Sequence, residues 1–248
     1  MKHIGFFILF AGTIITSCTS NNNVTPNTVE VDISFTHSVD GNPVQLDQLI
    51  YKNILDQEFS IKTIKYFISG VKLYAEDNSI IELDDIHYID ARTAETLNHI
   101  FSQKIPPGNY KGISFIHGLT VEENITGRFP ESPESLMEWP VMMGGGYHYM
   151  KLEGEYKTPS EESFFNFHSG MLDGNPYEVH VDLTNQPFTT TGTSVHLNLN
   201  MEIQNWFTNP TDWDFVFFGP AIMSNAAAQK IVQDNGADVY SFAVLENI

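Results

Sequence analysis

Short segments in which apolar and polar residues alternate run through most of the chain. The segment 29–36 alternates strictly, and such a period of two is typical of a β-strand with one buried face. We predict further strands at 61–74, 86–90, 110–119, 146–156, 163–168, 177–183, 195–203 and 240–245. Ser69-Gly70 predicts a bulge or turn inside the first of these.

Helical patterns are few. The segment 224–234 contains three consecutive alanines and stops at Asn235-Gly236, which predicts a short C-terminal helix. A shorter helix is predicted near 46–52. Many short strands with little helix favour an all-β fold, and we expect a single antiparallel β-sandwich with that short C-terminal helix. No Pro/Gly linker divides the chain, so residues 29–248 are predicted to form one domain.

The N-terminus has the pattern of an export signal. A basic start is followed by an apolar run at 4–15, which is shorter than the roughly 20 residues of a membrane-spanning helix. The segment Ile15-Thr16-Ser17-Cys18 resembles a bacterial lipobox, whose cysteine becomes the lipidated first residue. We therefore expect a lipoprotein signal peptide at 1–17, lipidation at Cys18 and a polar tether over 18–28. An ordinary signal peptide with an incidental cysteine is the alternative.

These features place the protein in the bacterial cell envelope. We expect it to be lipid-anchored in the outer membrane, facing the periplasm, with contact to the membrane only through the lipid. Lys and Arg number 12 against 31 Asp and Glu, a formal charge of −19. Such a charge repels phosphate backbones, which excludes nucleic-acid binding, and it disfavours anionic membrane surfaces. A single cysteine excludes a disulfide within the chain and a cysteine-cluster zinc site.

Nine histidines are a large share for so acidic a chain, and strand parity sorts them. His37, His117 and His148 share parity with apolar neighbours and are predicted to point toward the core or its rim. His180 and His196 share parity with polar neighbours and are predicted to face solvent.

His168 lies in a segment that is apolar on both faces, so we expect it to be buried or at a strand end. A buried neutral histidine bonded to a backbone carbonyl is the plain interpretation of each of these residues alone. Several inward histidines in one domain favour a metal site, since imidazole binds copper and zinc well. Met137, Met142, Met143 and Met150 add soft thioether sulfurs, although core packing is the ordinary role of methionine.

A Gly-rich and aromatic segment at 137–154 carries the most distinctive pattern. Together with other pieces in order, it resembles the MbnP-like family of exported proteins related to copper-binding proteins of methanotrophs. The other pieces are Phe35-Thr36-His37, the segments 64–73, 86–90 and 107–115, and Phe165-Asn166-Phe167-His168-Ser169-Gly170. One difference is Pro140-Val141-Met142-Met143, which stands where other relatives carry a Trp-rich segment.

The resemblance implies a periplasmic β-sandwich that binds copper through histidines, for copper acquisition or handling. It also implies a partner, a di-haem protein related to cytochrome c peroxidases, which oxidises a tryptophan near the metal to kynurenine. By position, His148 and His168 match best as copper ligands, and His37 matches the first strand. Trp139 is the candidate for the oxidised tryptophan. His117 and Met143 are candidate additional or supporting residues.

A non-metal binding module and an enzyme are the alternatives to metal binding. A non-metal binding module of the cell envelope, for a glycan or a protein partner, would use Trp139, Trp206, Trp213 and Tyr147 as a stacking platform. The chain lacks a nucleophile elbow, a His-Glu-x-x-His pair, a Walker loop and a dinucleotide fingerprint. We therefore expect a binding protein and not an enzyme.

Overall fold

Two β-sheets form the framework of residues 28–247, the part of the chain that this computed structural model describes. The predicted signal peptide, Cys18 and nearly all of the predicted tether lie outside those residues. The strands are β1 (Glu30–Val39), β2 (Asn42–Pro43), β3 (Tyr51–Lys52), β4 (Glu58–Phe59), β5 (Thr63–Ala75), β6 (Ile80–Leu83), β7 (His87–Asp90), β8 (Asn98–Ile100), β9 (Gly108–His117), β10 (His148–Lys157), β11 (Glu162–Gly170), β12 (Val179–Leu183), β13 (Phe188–Thr190), β14 (Ser194–Glu202) and β15 (Tyr240–Asn247). The α-helices are α1 (Phe215–Phe218) and α2 (Ala226–Asn235).

The two sheets differ in size. The small sheet has the order β15-β14-β1-β2, and β8 also pairs with β1. The large sheet has the order β12-β9-β5-β10-β4-β3, with β6 and β7 on β5, β11 on β10 and β13 on β9. The predicted all-β sandwich with a short C-terminal helix is confirmed.

One strand pair departs from the expected antiparallel pattern. β1 and β14 are parallel, from the pair Glu30↔Ser194 to the pair Ser38↔Glu202, whereas the other paired strands of residues 28–247 are antiparallel. Parallel neighbours require a long crossover, and here the whole large sheet lies between them in sequence. Alternation shows which face of a strand is buried but carries no information on the direction of its partner.

The main core lies between the sheets, where Val31, Ile33 and Phe35 of β1 are buried with the inward residues of β5, β9 and β14. A second, smaller cluster covers part of the outer face of the large sheet. It consists of Phe67, Tyr88, Leu119, Met137, Tyr147 and Tyr149. Its members from the segment 119–147 hold that long connection against the sheet, and this connection forms one side of the candidate site.

The C-terminal helix is confirmed as α2, and the Asn225 side chain accepts a hydrogen bond from the Ala228 amide as its N-terminal cap. The helix predicted near 46–52 is wrong. Asp47 has a φ of +63°, which ends any helical turn, and the Gln45 amide donates to the Tyr51 hydroxyl at 2.5 Å. The segment forms a turn that leads into β3.

Four of the five histidines assigned by parity point as predicted. His37 and His117 lie in the interior, with His37 Nε2 3.1 Å from the Tyr66 hydroxyl and His117 Nδ1 2.7 Å from the Tyr240 hydroxyl. The His180 side chain is 75% exposed. His196 lies on the outward, half-buried face of β14 with Asn198 and Asn200, although its Nε2 atom is covered.

We predict that the free energy of unfolding falls in acid, and that His117 accounts for a measurable part of the loss. Burial lowers the pKa of His117 to about 3 and that of His37 to about 4, so the unfolded chain binds more protons than the native one between those values and about 6.5. Stability is therefore complete above pH 6.5 and falls as the pH drops. For His117 alone the expected loss from pH 7 to pH 5 is about 2 kcal/mol of unfolding free energy.

Urea unfolding of wild type and His117→Gln at several pH values tests this. The glutamine variant keeps a polar group but cannot titrate, so its stability should depend on pH less steeply by close to one proton. His180→Gln, the same substitution at an exposed position, is the matched control for the replacement itself. Equal slopes for wild type and His117→Gln would contradict the prediction.

Candidate metal centre

His148 and His168 meet at one end of the β10–β11 hairpin, where β10 begins and β11 ends. His168 lies opposite Lys151 in the register of this hairpin, and His148 lies opposite Gly170. A β-bulge between His148 and Met150 inserts one extra residue, which places His148 on the same face as His168. The two rings are perpendicular, with centroids 5.1 Å apart.

The bulge also corrects the predicted orientation of His148. The residue is buried as expected, but on the outer face of the large sheet beneath the 134–147 segment. Parity with Met150 and Leu152 had predicted the inner face. One added residue reverses the face of every position before it.

The hydrogen bonds of His148 fix its tautomer. Its Nδ1–H donates to the carbonyl oxygen of Met137 at 2.9 Å, so its Nε2 carries the lone pair. Burial, followed by the nearby charge of Lys151, lowers the pKa of His148 to about 3. The ring is therefore neutral at pH 7, which is the form that binds a metal ion.

His168 is held by a carboxylate. Its Nε2–H donates to Glu153 Oε1 at 2.8 Å, and this bond is the main reason that the pKa of Glu153 falls to about 2. The lone pair of His168 is then on Nδ1, which is buried and has no hydrogen-bond partner. A carboxylate that orients an imidazole in this way is the usual support of a metal-binding histidine.

Trp139 packs on His148, one member of this histidine pair. Its ring contacts His148 edge-on at a centroid distance of 4.7 Å, and its Nε1 is buried with no hydrogen-bond partner. The ring also lies directly over Gly170, where an added Cβ would come within 2.5 Å of it. A glycine at the end of β11 is therefore required for Trp139 to reach His148.

Backbone contacts hold the tryptophan in place. The Trp139 amide donates to the carbonyl oxygen of Gly146 at 2.9 Å, and Lys151 Nζ donates to the carbonyl oxygen of Leu136 at 2.7 Å. Gly146 has a φ of +80°, and a Cβ there would meet Asn124 Oδ1 at 2.2 Å. The Gly-rich stretch thus lets the chain return close beside Asn124.

Other sequence candidates lie apart from this pair. His37 contacts Tyr66 between the sheets, and His117 stacks on Tyr66 and contacts Trp206 there. Met143 ends a 3-10 turn and uses its carbonyl oxygen to accept from the Asp173 amide. Residues 28–247 contain no group of three or more His, Cys, Asp or Glu arranged to hold a metal ion. The expected convergence of His37 with His148 and His168 is therefore not found.

Two residues that were not predicted from the sequence also build the site. Glu153 orients His168, and Gln229 of α2 donates to the His168 carbonyl oxygen at 2.8 Å and accepts from the Gly170 amide at 3.2 Å. Only the register of the hairpin reveals Glu153. Gln229 left a weak signal, as a polar residue on the inner side of an otherwise amphipathic helix.

The proposed stacking platform does not exist as an exposed surface. Trp139, Trp206, Trp213 and Tyr147 are all fully or almost fully buried. Trp206 and Trp213 belong to the main core and Tyr147 to the second cluster, which is the common role of aromatic residues in a sandwich, whereas Trp139 packs on His148.

A sequence profile of the MbnP family matches residues 28–224, most of the chain. The chain belongs to the MbnP family. The fold agrees with this, because MbnP from Methylosinus trichosporium superimposes with a TM-score of 0.57 over 88% of this chain and 99% of that one, at 12% sequence identity. Among curated proteins, none shows significant sequence similarity to this chain. The residues described here contain no helix with the length and apolar character needed to span a membrane.

Membership of the MbnP family is consistent with a copper-related role, and the His148–His168 pair fits such an ion in its donors. His148 Nε2 has a free lone pair, and His168 Nδ1 is buried with no hydrogen-bond partner, so each ring offers one nitrogen to an ion. Rings that share one ion through bonds of about 2 Å have centroids no more than roughly 6.5 Å apart. The observed 5.1 Å meets this condition.

The contact between Trp139 and Gly170 gives a direct test of the packing. Gly170→Ala should displace the Trp139 ring from His148, because the new methyl group overlaps it, and should cost about 1–3 kcal/mol of stability. Urea unfolding and tryptophan fluorescence measure both effects. Gly174→Ala is the control for the fluorescence, since a Cβ there meets no atom within 4 Å and should leave the Trp139 ring in place; its φ of +79° adds a backbone cost to stability of its own. Unchanged stability and fluorescence in Gly170→Ala would contradict the packing.

Proposed function

We propose that this protein binds copper at His148 and His168 and serves in copper acquisition or handling. The observation that carries the proposal is the buried, unpartnered Nδ1 of His168 beside a second neutral imidazole. A buried lone pair without a partner is costly, and a bound cation would compensate for that cost. Imidazole ligands suit copper, and copper outranks the other divalent first-row metals in affinity.

Each neighbour of the pair has a distinct part in this proposal. Glu153 fixes the proton of His168 on Nε2, and the Met137 carbonyl fixes the proton of His148 on Nδ1. The 134–147 segment excludes water from one side. Copper, when bound, would supply a centre for storage or one-electron chemistry. The chain's own residues hold the two rings aligned, so we expect binding and not catalysis.

Trp139 extends the proposal to a partner protein. We propose that a di-haem cytochrome c peroxidase-like partner oxidises it, as the family resemblance implies. Two equivalents of hydrogen peroxide would add two oxygen atoms to open the ring and leave two waters, and hydrolysis would release formate and kynurenine. This chemistry would turn Nε1 of Trp139, which has no partner now, into an aromatic amine beside His148.

A surface suited to such a partner surrounds the tryptophan. Leu136, Val141 and Met142 flank Trp139 in sequence and are 65%, 75% and 86% exposed. Exposed apolar side chains so close together are typical of an interaction site. We also propose that the protein is exported and anchored through Cys18 in the outer membrane, facing the periplasm, where such a partner would meet it. The N-terminal lipobox pattern supports this location.

Copper titration of the protein without its N-terminal signal and tether, from about residue 24, tests the central proposal. His148→Ala and His168→Ala should each abolish stoichiometric binding, because each removes one of the two lone pairs. Glu153→Gln should weaken binding by about 10–100-fold while leaving both ligands present. Competition with a chromophoric Cu(I) chelator measures the affinity, and metal analysis of the purified protein gives the stoichiometry.

The exposed His180 provides the matched control for these variants. His180→Ala should bind copper as wild type does. Retention of wild-type affinity in both His148→Ala and His168→Ala, with the fold intact by circular dichroism, would overturn the proposal.

Oxidation of Trp139 is tested by co-expression with the di-haem partner. Mass spectrometry of the tryptic peptide should show conversion of Trp139 to kynurenine, and Met142→Glu should reduce it by placing a charge on the apolar surface. Trp206 and Trp213 are internal controls, since both are buried elsewhere in the core. Equal conversion of all three tryptophans would indicate nonspecific oxidation.

A further inference from the structure

A second cleft, of about 700 Å³, opens beside β1 of the small sheet and shares no lining residue with the metal centre. It lies where β1 lacks a strand partner along one edge. β8 pairs with residues 32–34 of β1 and β2 pairs with residues 38–39, so the residues 35–37 lie in the gap between those two strands. Ala91 and Leu97, from the connection between β7 and β8, also line the cleft.

Apolar side chains supply much of the lining. They are Phe35, Pro43, Val44, Ala91 and Leu97. A wall of this kind packs against hydrocarbon surface, and the volume lies within the range of about 300–1,000 Å³ that is usual for small-molecule sites.

The polar side chains on the outer side of the cleft are bonded to the protein itself. The Glu202 carboxylate accepts hydrogen bonds from the Ser38 hydroxyl and the Asp40 amide, both at 2.8 Å. Asn200 accepts from the Thr36 hydroxyl at 3.1 Å and donates to the Ser38 hydroxyl at 2.8 Å. Glu202 is the charged residue of the lining, and its carboxylate disfavours an anionic ligand.

His37 differs from these polar residues. It is 8% exposed, and its Nε2 lies 3.1 Å from the Tyr66 hydroxyl. Its Nδ1 makes no hydrogen bond with any of the residues 28–247, yet this atom is not sealed from solvent as Nδ1 of His168 is. Because His37 lines the cleft, a ligand reaches Nδ1 from there.

A chain of hydrogen bonds through the core determines whether Nδ1 of His37 carries a proton. The chain starts at His117, whose Nε2 is buried without a partner. A buried N–H without an acceptor is rarer in proteins than a buried lone pair without a donor, so the proton of His117 is on Nδ1. Nδ1–H of His117 then donates to the Tyr240 oxygen at 2.7 Å.

The same direction continues through two tyrosines. The Tyr240 and Tyr66 hydroxyls are bonded to each other, and Tyr240, which already accepts from His117, donates to Tyr66. The Tyr66 hydroxyl donates in turn to Nε2 of His37. Burial lowers the pKa of His37 to about 4, so the ring is neutral at pH 7 and its one proton is on Nδ1. The cleft therefore presents an N–H donor among apolar side chains.

We propose that this cleft binds an uncharged organic molecule with an apolar body and a carbonyl oxygen, which accepts a hydrogen bond from Nδ1 of His37. A donor in an apolar cleft discriminates in favour of a ligand that brings an acceptor, because a ligand without one leaves the donor desolvated and unpaired. The apolar body packs on Phe35, Val44 and Leu97. This site is independent of the copper proposal, and either can fail alone.

Two-dimensional NMR titration with acetophenone, α-methylstyrene and benzoate tests the proposal. α-Methylstyrene has the shape of acetophenone with a methylene group in place of the carbonyl oxygen, and benzoate carries a negative charge. Acetophenone should shift the resonances of the cleft residues and bind about fivefold or more tightly than either of the other probes, the effect of one hydrogen bond. His37→Phe keeps a planar ring but removes the donor, so this variant should bind acetophenone and α-methylstyrene equally.

Two further measurements do not require His37→Phe to fold. Long-range proton–nitrogen NMR correlation of the imidazoles should show the proton of His37 on Nδ1. Pro43→Trp narrows the cleft at an exposed lining residue and should abolish acetophenone binding, whereas Pro159→Trp, the same change at an exposed proline outside the cleft, should leave it unchanged.

Four results would each overturn the proposal. They are no binding of acetophenone to the wild type, equal binding of acetophenone and α-methylstyrene to the wild type, unchanged acetophenone binding in Pro43→Trp, and a His37 proton on Nε2.

Discussion

The β-bulge between His148 and Met150 is the constraint on which the outer face of the large sheet depends. Without the extra residue, His148 would follow Met150 and Leu152 into the main core. With it, His148 turns to the side of His168. Tyr149 follows the alternation of Lys151 and Glu153 and belongs to the second cluster with Phe67 and Tyr147, so the bulge brings His148 to the face that this cluster covers.

The cover depends in turn on close approach at a few glycines. Trp139 can rest on the end of β11 only because Gly170 has no side chain, and the chain can return beside Asn124 only because Gly146 has none. Gln229 of α2 satisfies the backbone groups of His168 and Gly170 from the other side. Sheet, connecting segment and helix thus converge on His168 and Gly170 at the end of β11, and an end fixed this way keeps the His168 ring oriented.

Most of the fold followed from alternation, because burial of one face forces a period of two in every strand. Alternation could not give the parallel pairing of β1 with β14, since direction depends on the crossover and not on which side chains are buried. It predicted the interior positions of His37 and His117 and misplaced His148, because a bulge is invisible to parity counted from one side. Glu153 could not be found from the sequence, since its role depends on the register with β11.

Burial alone does not separate a structural histidine from a ligand in this protein. His117 is as deeply buried as His148, and its Nε2 also has no partner, yet its neighbours are the rings of Tyr66, Trp206 and Tyr240. Those rings offer no second imidazole lone pair, so a cation there would lack the shared coordination that compensates for its dehydration. At His168 the second imidazole is present, and Glu153 supplies the opposite charge one bond away. What distinguishes the outer pair is the combination of two imidazoles and a carboxylate. That combination arises because a hairpin with a bulge brings three alternating positions of two strands to one face.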